Sequence, residues 1–584
     1  MDIRLRPVIT TGAWQQKLEI MPDDSIKKRT YDAIVIGSGA SGGWAAKELC
    51  DKGLKTLVLE RGRNVEHIKD YPTASKAPWE FDHRGTVSVE QRKDYQGARF
   101  LREETLHWAL KDDEQPFIQE KPFRWVRGYH VGGKSLLWAR QTQRWSDYDF
   151  EGPLRDGFAV DWPIRYKDLE PWYSYVEKFA GIAGNKDGLA ELPDSEVMPG
   201  FEMSCVELYF KESLEKNFPG RHLIQARCAH ITDPQPIHLE QGRNKCQNQT
   251  MCNRGCVFGG YFSTNASTIP WARKTGNLTI RPFAIVHSVI YDETKSKASG
   301  VRIIDGETKE MIEFYARVIF INASALNSNA ILLNSTSGRF PNGLGNDSGL
   351  LGKYIAWHNY RGKGSAQFEG LKDKRTDGRN PSNAYIPRFR NVFKQETDFL
   401  RGYAIGIGGG RNASSNTDLI GDELRESLLQ PQLGNWHIAS WMMGESVPEE
   451  KNHVRLHKDL KDKYGIPQLI VSCDWSENDD KMVADYVEQS KLMFEKAGFI
   501  NIKAEDTKSP PGADIHEMGG ARMGNDPKTS LLNKWNQLHL CKNVFVTDGA
   551  CMTSTGTQNP TLTYMAITAR AANHAVEELR RGKL

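Results

Sequence analysis

The 584-residue chain is expected to fold as α/β, and α+β overall, with one domain whose pieces are scattered along the sequence and a second built mainly on an antiparallel sheet. Three observations lead there. A strand, glycine turn, helix, strand pattern stands near the N-terminus, at 31–62. Strand and helix segments of the same kind return much later, at 277–292, 316–335 and from 544 onward. Between about 355 and 510 several segments read as strands.

In the first pattern, the apolar run Ala33–Ile36 suits a buried parallel strand, and "GSGASG" sets Gly37, Gly39 and Gly42 in the G-x-G-x-x-G spacing. A helix over Trp44–Cys50 and a second buried strand, Thr56–Leu59, follow, ending in Glu60. Gly37 makes the tight turn, Gly39 lets a pyrophosphate approach the backbone, and Gly42 permits close helix packing; the helix N-terminus offers unpaired N–H groups to phosphates. Glu60 can accept from ribose hydroxyls. The whole is a Rossmann-like dinucleotide site, and the distance to its remaining pieces favours FAD over NAD.

Those pieces are "NLTIRPFAIVHSVIYD" (277–292), alternating as strands do, and "ARVIFINASALNSNAILLNS" (316–335), a strand, small-residue turn and helix. The last is a strand at Val544–Thr547, then Asp548–Gly549 and a loop into a long helix. The expected division is an FAD-binding domain over 28–354 with insertions at about 150–275, a mainly substrate-binding domain over 355–510, and a return to the first domain over 511–584. "RGYAIGIGGGR", "NWHIASWMMGES" and "PQLIVSCDW" read as strands of the second domain, and 476–498 as an amphipathic helix on its solvent side. The charged segment 63–105 reads equally as a lid, an interface segment or a surface excursion.

A net charge of +3 gives no electrostatic case for nucleic acid or an acidic membrane surface. No apolar run is long enough for a transmembrane segment, and the stretch 1–25 lacks the apolar core of a secretory signal, which read literally means cytoplasm. Six of the nine cysteines are scattered, whereas Cys246, Cys252 and Cys256 share "KCQNQTMCNRGC". Three readings compete for them. A zinc site would need a fourth ligand, with His230 or His238 available; a disulfide would strand one thiol; a 3Fe–4S cluster wants three thiolates.

Together with "RGYHVGGKSLLWAR" (127–140), "HEMGGARMG" and "GTQNPTLT", these segments resemble the glucose–methanol–choline (GMC) family of FAD oxidoreductases, from about residue 30 to the C-terminus. The resemblance implies oxidation of a CH–OH group, with His516 as base and Asn559 binding the same hydroxyl; a histidine suits that proton transfer. It implies that Gly37, Gly39, Ala40, Ser41, Gly42, Glu60 and Arg61 hold the ADP half of FAD, with Val286 meeting the adenine. Gly132, Gly133 and Ser135 would lie along the flavin, and Ala323, Asp548, Gly549, Asn559, Pro560 and Thr561 would complete the site. Some relatives link the flavin through a histidine where this chain has Leu137, which implies non-covalent FAD. His453 and His539 lie outside the matched motifs and read as structural.

The cysteine spacing is similar to that of the catalytic subunits of bacterial sugar dehydrogenases, closest to the glucoside 3-dehydrogenases, and implies a 3Fe–4S cluster on Cys246, Cys252 and Cys256. It further implies a sugar or glycoside substrate, a small chaperone-like subunit carrying an export signal to the periplasm, and a cytochrome c acceptor. Glucose 1-, gluconate 2- and fructose 5-dehydrogenases, a pyranose oxidase using O2, and an electron-carrying flavoprotein subunit without turnover are the alternatives. Arg140, Gln141 and Gln143 offer hydroxyl contacts. Among the 15 tryptophans, Trp138, Trp145, Trp357, Trp436 and Trp441 suit either sugar stacking or core packing.

Overall fold

The computed structural model describes residues 29–584 apart from 99–100, 250, 375–380, 382, 415–417 and 430–431. The stretch inspected for a secretory signal and Thr250 of the cysteine-rich loop lie outside them.

Five parallel strands form the heart of an eight-stranded sheet, in the order Cys541–Val546, Met311–Ile321, Thr30–Ile36, Thr56–Leu59, Leu278–Arg281. Strand alternation divides their apolar side chains between two cores. Ala33, Val35, Val58, Val318, Phe320 and Phe545 face the helices Ala40–Asp51 and Thr561–Arg580. Ile34, Ile36, Leu57, Leu59, Ile319 and Ile321 point to the opposite side, into the largest core. Burial on both faces is why these strands read as continuous apolar runs. The segment 277–292, read as strand sequence, forms two strands, Leu278–Arg281 and Ala284–Asp292, parted where Pro282 carries no N–H and Phe283 turns the chain at φ 52°. The second of these pairs antiparallel with Lys297–Asp305.

A seven-stranded antiparallel sheet runs in the order Ile500–Asp506, Gly362–Phe368, Gln432–Glu445, Tyr403–Ser414, Ala384–Ile386, Ile224–Gln225, with the short strand His358–Asn359 also on Gln432–Glu445. The helices Cys205–Asn217 and Glu477–Lys496 cover one face through Val206, Phe210, Met482, Tyr486 and Phe494. The second helix starts where Ser476 caps the N–H of Asp479. Alternation again decides what remains. A Cβ on Gly364 would press on Ser490 and Phe494 beneath the helix, while its neighbour Lys363 lines the cavity.

"PQLIVS" departs from the expected arrangement. Pro467–Ser472 joins a separate five-stranded sheet with His453–Lys461, Lys353–Ala356, Met518–Gly520 and Ile118–Gln119. That sheet anchors the chain just after His516.

Candidate active site

A cavity of about 750 Å³ is walled on one side by the carboxyl ends of the parallel strands and on the other by residues of the seven-stranded sheet. At the first end, Gly37 turns at φ 92° with its Cβ position 2.4 Å from Asn322 O, and a Cβ on Gly42 would lie 1.9 Å from Gly37 O. Neither place accepts a side chain. At Gly39 a Cβ would meet nothing within 4 Å, and the helix beginning there has no side-chain cap. Its N–H groups are left for an anion. Gly39, Ala40, Ser41, Glu60, Arg61, Val286 and Ala323 all line this end.

Glu60 ties the glycine turn to its neighbours through hydrogen bonds. Its Oε2 accepts from Ser38 Oγ–H (2.5 Å) and its Oε1 from the Gly62 N–H (3.0 Å). Ser38 Oγ in turn accepts from the Gly132 N–H (2.9 Å), so the acid joins the two glycine motifs. Gly132 stands at φ 96° with its Cβ position 1.7 Å from Asn265 Oδ1, and Ser135 Oγ–H closes back on Gly132 O (2.6 Å). Gly133 and Ser135 line the cavity, as do Asp548, Gly549, Asn559 and Thr561; Gly42, Gly132 and Pro560 stand behind the wall. Asp548 accepts from Ser328 Oγ–H (2.6 Å) and the Ala550 N–H (3.0 Å), and burial pushes it up to about 6. Among the described residues, the buried acceptors on the wall that lack a partner include Asn322 Oδ1 and Glu517 Oε1. Uncapped helix, open Gly39 and waiting acceptors fit a dinucleotide.

His516 and Asn559 meet at the far end. Their nearest atoms, His516 Nε2 and Asn559 Nδ2, are 3.5 Å apart. Behind His516 stands a residue that sequence reasoning missed, His358, with the two Nδ1 atoms 2.9 Å apart. The network assigns the protons. Thr555 O, 3.0 Å from His358 Nε2, only accepts, so Nε2 carries hydrogen and His358 Nδ1 is an acceptor. His516 Nδ1 must then donate, which leaves a lone pair on His516 Nε2, the atom turned toward Asn559. Burial pushes His358 down to about 4 and holds His516 well below the usual histidine range, so both rings are neutral near pH 7. Asp514 Oδ2 accepts from the His358 N–H (2.8 Å) and stands 3.7 Å from His516 Nδ1; burial lifts this carboxyl to about 7.

Gln141 reaches the cavity and Gln143 does not: wholly buried, it donates from Nε2 to Gln141 Oε1 (2.7 Å). Trp357 is also away from the wall, packed between Phe123 and Trp475. Successive residues of an extended chain point to opposite sides, so the core takes Trp357 and the site takes His358. Trp138 and Trp441 line the cavity; Trp145 and Trp436 are core residues. The sequence signals for the missed pair were "WHN" and the Asp514 of "DIHEMG", polar residues beside residues already singled out.

Buried charges tie this end together. Arg388 pairs with Asp149 (2.9 Å) and Glu445 (2.8 Å), Arg401 with Glu445 (2.9 Å) and Asp156 (2.7 Å), and Gln558, next to Asn559, donates to Asp149 (3.1 Å).

Cys246, Cys252 and Cys256 are partly buried free thiols on one loop. Cys252 Sγ is 3.9 Å from His230 Nε2, and Cys256 Sγ accepts from the Gly260 N–H (3.3 Å). His238 is engaged elsewhere, with Lys178 O (3.0 Å) and the Gln235 N–H (3.1 Å). The segment 63–105 packs on this loop: the Tyr71 ring occupies the space a Cβ on Gly255 would need, and Arg254 donates to Lys76 O (2.9 Å). Asn253, within the loop, accepts from Arg140, and both residues line the cavity. The thiols therefore sit just behind its wall. Three free thiols thus share one loop, but among the described residues their sulfurs do not lie within 4.8 Å of one another as a ligand set, which His358, Asp514 and His516 do.

The chain matches two GMC oxidoreductase family models, the N-terminal one over residues 31–358 and the C-terminal one over 448–568. It is 28% identical to 2-methyl-1,2-propanediol dehydrogenase of Mycolicibacterium austroafricanum, over 93% of this chain and 94% of that one. It is 26% identical to the fructose dehydrogenase large subunit of Gluconobacter japonicus (94% and 98% covered), and 26% identical to paromamine 6'-oxidase of Streptomyces fradiae (94% and 92%). Among solved structures, pyridoxine 4-oxidase from Mesorbium loti superposes with a TM-score of 0.57 at 16% identity, over 94% of this chain and 99% of that one. With the dinucleotide turn, the His516–Asn559 pair and the matched family models in one molecule, the chain belongs to the GMC oxidoreductases and is an FAD flavoprotein acting on CH–OH donors.

Proposed function

We propose that the protein is an FAD-dependent dehydrogenase oxidising a secondary hydroxyl of a sugar or glycoside, at C3 of a glucoside in the reading we favour, to give a 3-keto product. The observation that carries it is the His516–Asn559 pair, 3.5 Å apart on the wall of a cavity whose other end is the dinucleotide turn. FAD, when bound, supplies a hydride acceptor. His516 Nε2 takes the hydroxyl proton, and Asn559 Nδ2 donates to the same oxygen and fixes its direction. His358 holds the tautomer that leaves Nε2 free, and Asp514 fixes His358 through its backbone. Relatives named for fructose, paromamine and a propanediol support a hydroxyl-rich substrate.

Cys246, Cys252 and Cys256 would hold a 3Fe–4S cluster, which supplies one-electron transfer when present and favours a dehydrogenase over an oxidase. The same reading gives the protein a small partner subunit, a cytochrome c acceptor and a periplasmic location reached by co-export. The remaining thiolate reading, a zinc site, would draw its fourth ligand from His230, whose Nε2 lies 3.9 Å from Cys252 Sγ.

Dye-coupled oxidation of methyl glucosides, free sugars and polyols tests the enzyme, and NMR of the product identifies the carbon oxidised. No dye reduction with any of them overturns the assignment. Iron, sulfide and zinc analysis of anaerobically purified protein, with EPR of the isolated form, tests the thiolate site. Three iron atoms per chain are expected; zinc alone replaces the cluster and favours an oxidase.

A further inference from the structure

Several buried cations of this protein stand against carboxylates, whereas a half-buried lysine on the cavity wall does not. Lys47, Arg144, Arg227, Arg388 and Arg401 each stand against a carboxylate. Lys363, midway along the inner strand Gly362–Phe368, has no ion pair and no hydrogen bond among the described residues; its Nζ lies over the Tyr360 ring, 2.9 Å from the centroid. It is half-buried, with its side chain on the cavity wall. It lines the cavity beside Tyr360, Trp441 (its cross-strand neighbour), Tyr385, Asp514 and His516.

We infer that the His516 end of the cavity takes a substrate bearing a carboxylate, a sugar acid or an acidic glycoside, with Lys363 Nζ as its counter-charge. The inference rests on the proposed function, in that it takes this end for the substrate's. An ammonium drawn out of water without a partner is costly, and an arriving carboxylate removes that cost while gaining a charge-assisted bond. Burial pushes Lys363 down to about 7 and lifts its nearest acid, Asp514, to about 7 as well. Among the described residues Asp514 makes no ion pair with Lys363, and its Oδ2 is already taken by the His358 N–H. Neighbouring Tyr360 and Trp441 offer ring faces and one hydroxyl, which suits the uncharged remainder of a sugar.

The test compares kcat/KM for gluconate and methyl glucuronide with that for methyl glucoside, in the holoenzyme and in its Lys363→Met and Lys363→Arg variants, each first shown to retain its flavin. The expected result is a wild-type preference for the acids that falls about 10-fold or more in Lys363→Met, the range for truncating one partner of a buried charge pair, and largely survives in Lys363→Arg. An acid-to-neutral ratio that Lys363→Met leaves unchanged overturns the inference. If the wild type oxidises neither class, the proposed function fails, and flavin difference spectra still decide the anion site. Glucuronate perturbing the wild-type flavin where glucose does not, with the effect lost in Lys363→Met, supports it; equal responses to both sugars refute it.

Discussion

The two ends of the cavity are built by different means. The dinucleotide end is shaped by backbone: Gly37, Gly42 and Gly132 stand where a Cβ would strike a carbonyl or an amide, and the helix that starts after Gly39 leaves its first N–H groups without a side-chain cap. The hydroxyl end is made of side chains delivered by separate elements. His358 comes from one short strand, His516 from the loop before another, Lys363 from the antiparallel sheet and Asn559 from the loop before the last helix. A backbone site is fragile to added bulk and indifferent to titration. A side-chain site tolerates bulk elsewhere but depends on protons and on the parts being held in register.

The largest effect expected from that contrast is at Gly42. Gly42→Val places atoms where Gly37 O stands, 1.9 Å from the Cβ position, and bound flavin, read by its visible absorbance, should fall more than about 10-fold. His516→Ala should do the reverse, leaving flavin content intact while kcat falls about 10²–10⁴-fold. A next test strikes what holds the parts together. Arg388→Met leaves Asp149 and Glu445 without their shared cation and should cost about 3–5 kcal/mol, seen as a lower thermal midpoint.

His358→Leu should be milder, about 10–100-fold in kcat, because the base remains and only its tautomer is released; His358→Gln, which keeps an acceptor, should recover part of the loss. The smallest effect is a pH limb. A histidine lowered by burial is lost as a base only when pH falls through its lowered pKa, so kcat/KM for a neutral sugar should hold as pH drops past 6.5. An acid limb centred at or above 6.5 would mean that His516 is better solvated than its setting allows.

The same contrast explains what was legible in the sequence. The strand, turn, helix and acid of 31–62 could be read because a steric demand leaves glycine at fixed intervals, and the parallel core because burial on both faces leaves unbroken apolar runs. His516 and Asn559 were reached through motif resemblance. His358 was not, although its neighbour Trp357 was chosen: which of two adjacent strand residues faces a site depends on pairing with Gln432–Glu445, a partner distant in sequence. Lys363 was missed for a related reason, since a lysine is usually a solvated face and only the folded sheet shows that this one turns into the cavity. "PQLIVS" was a strand as read, but nothing in its own residues says which sheet it joins.

Gln558 hangs from Asp149, Asp149 from Arg388, and Arg388 from Glu445, so the loop carrying Asn559 is moored to the sheet that carries Lys363. Exchanging that sheet alone for a relative's, to borrow its specificity, would cut the mooring and misplace the hydroxyl-binding amide. A working graft would have to carry residues 147–156 along with the strands, which makes the short helices there part of the unit that recombination must respect.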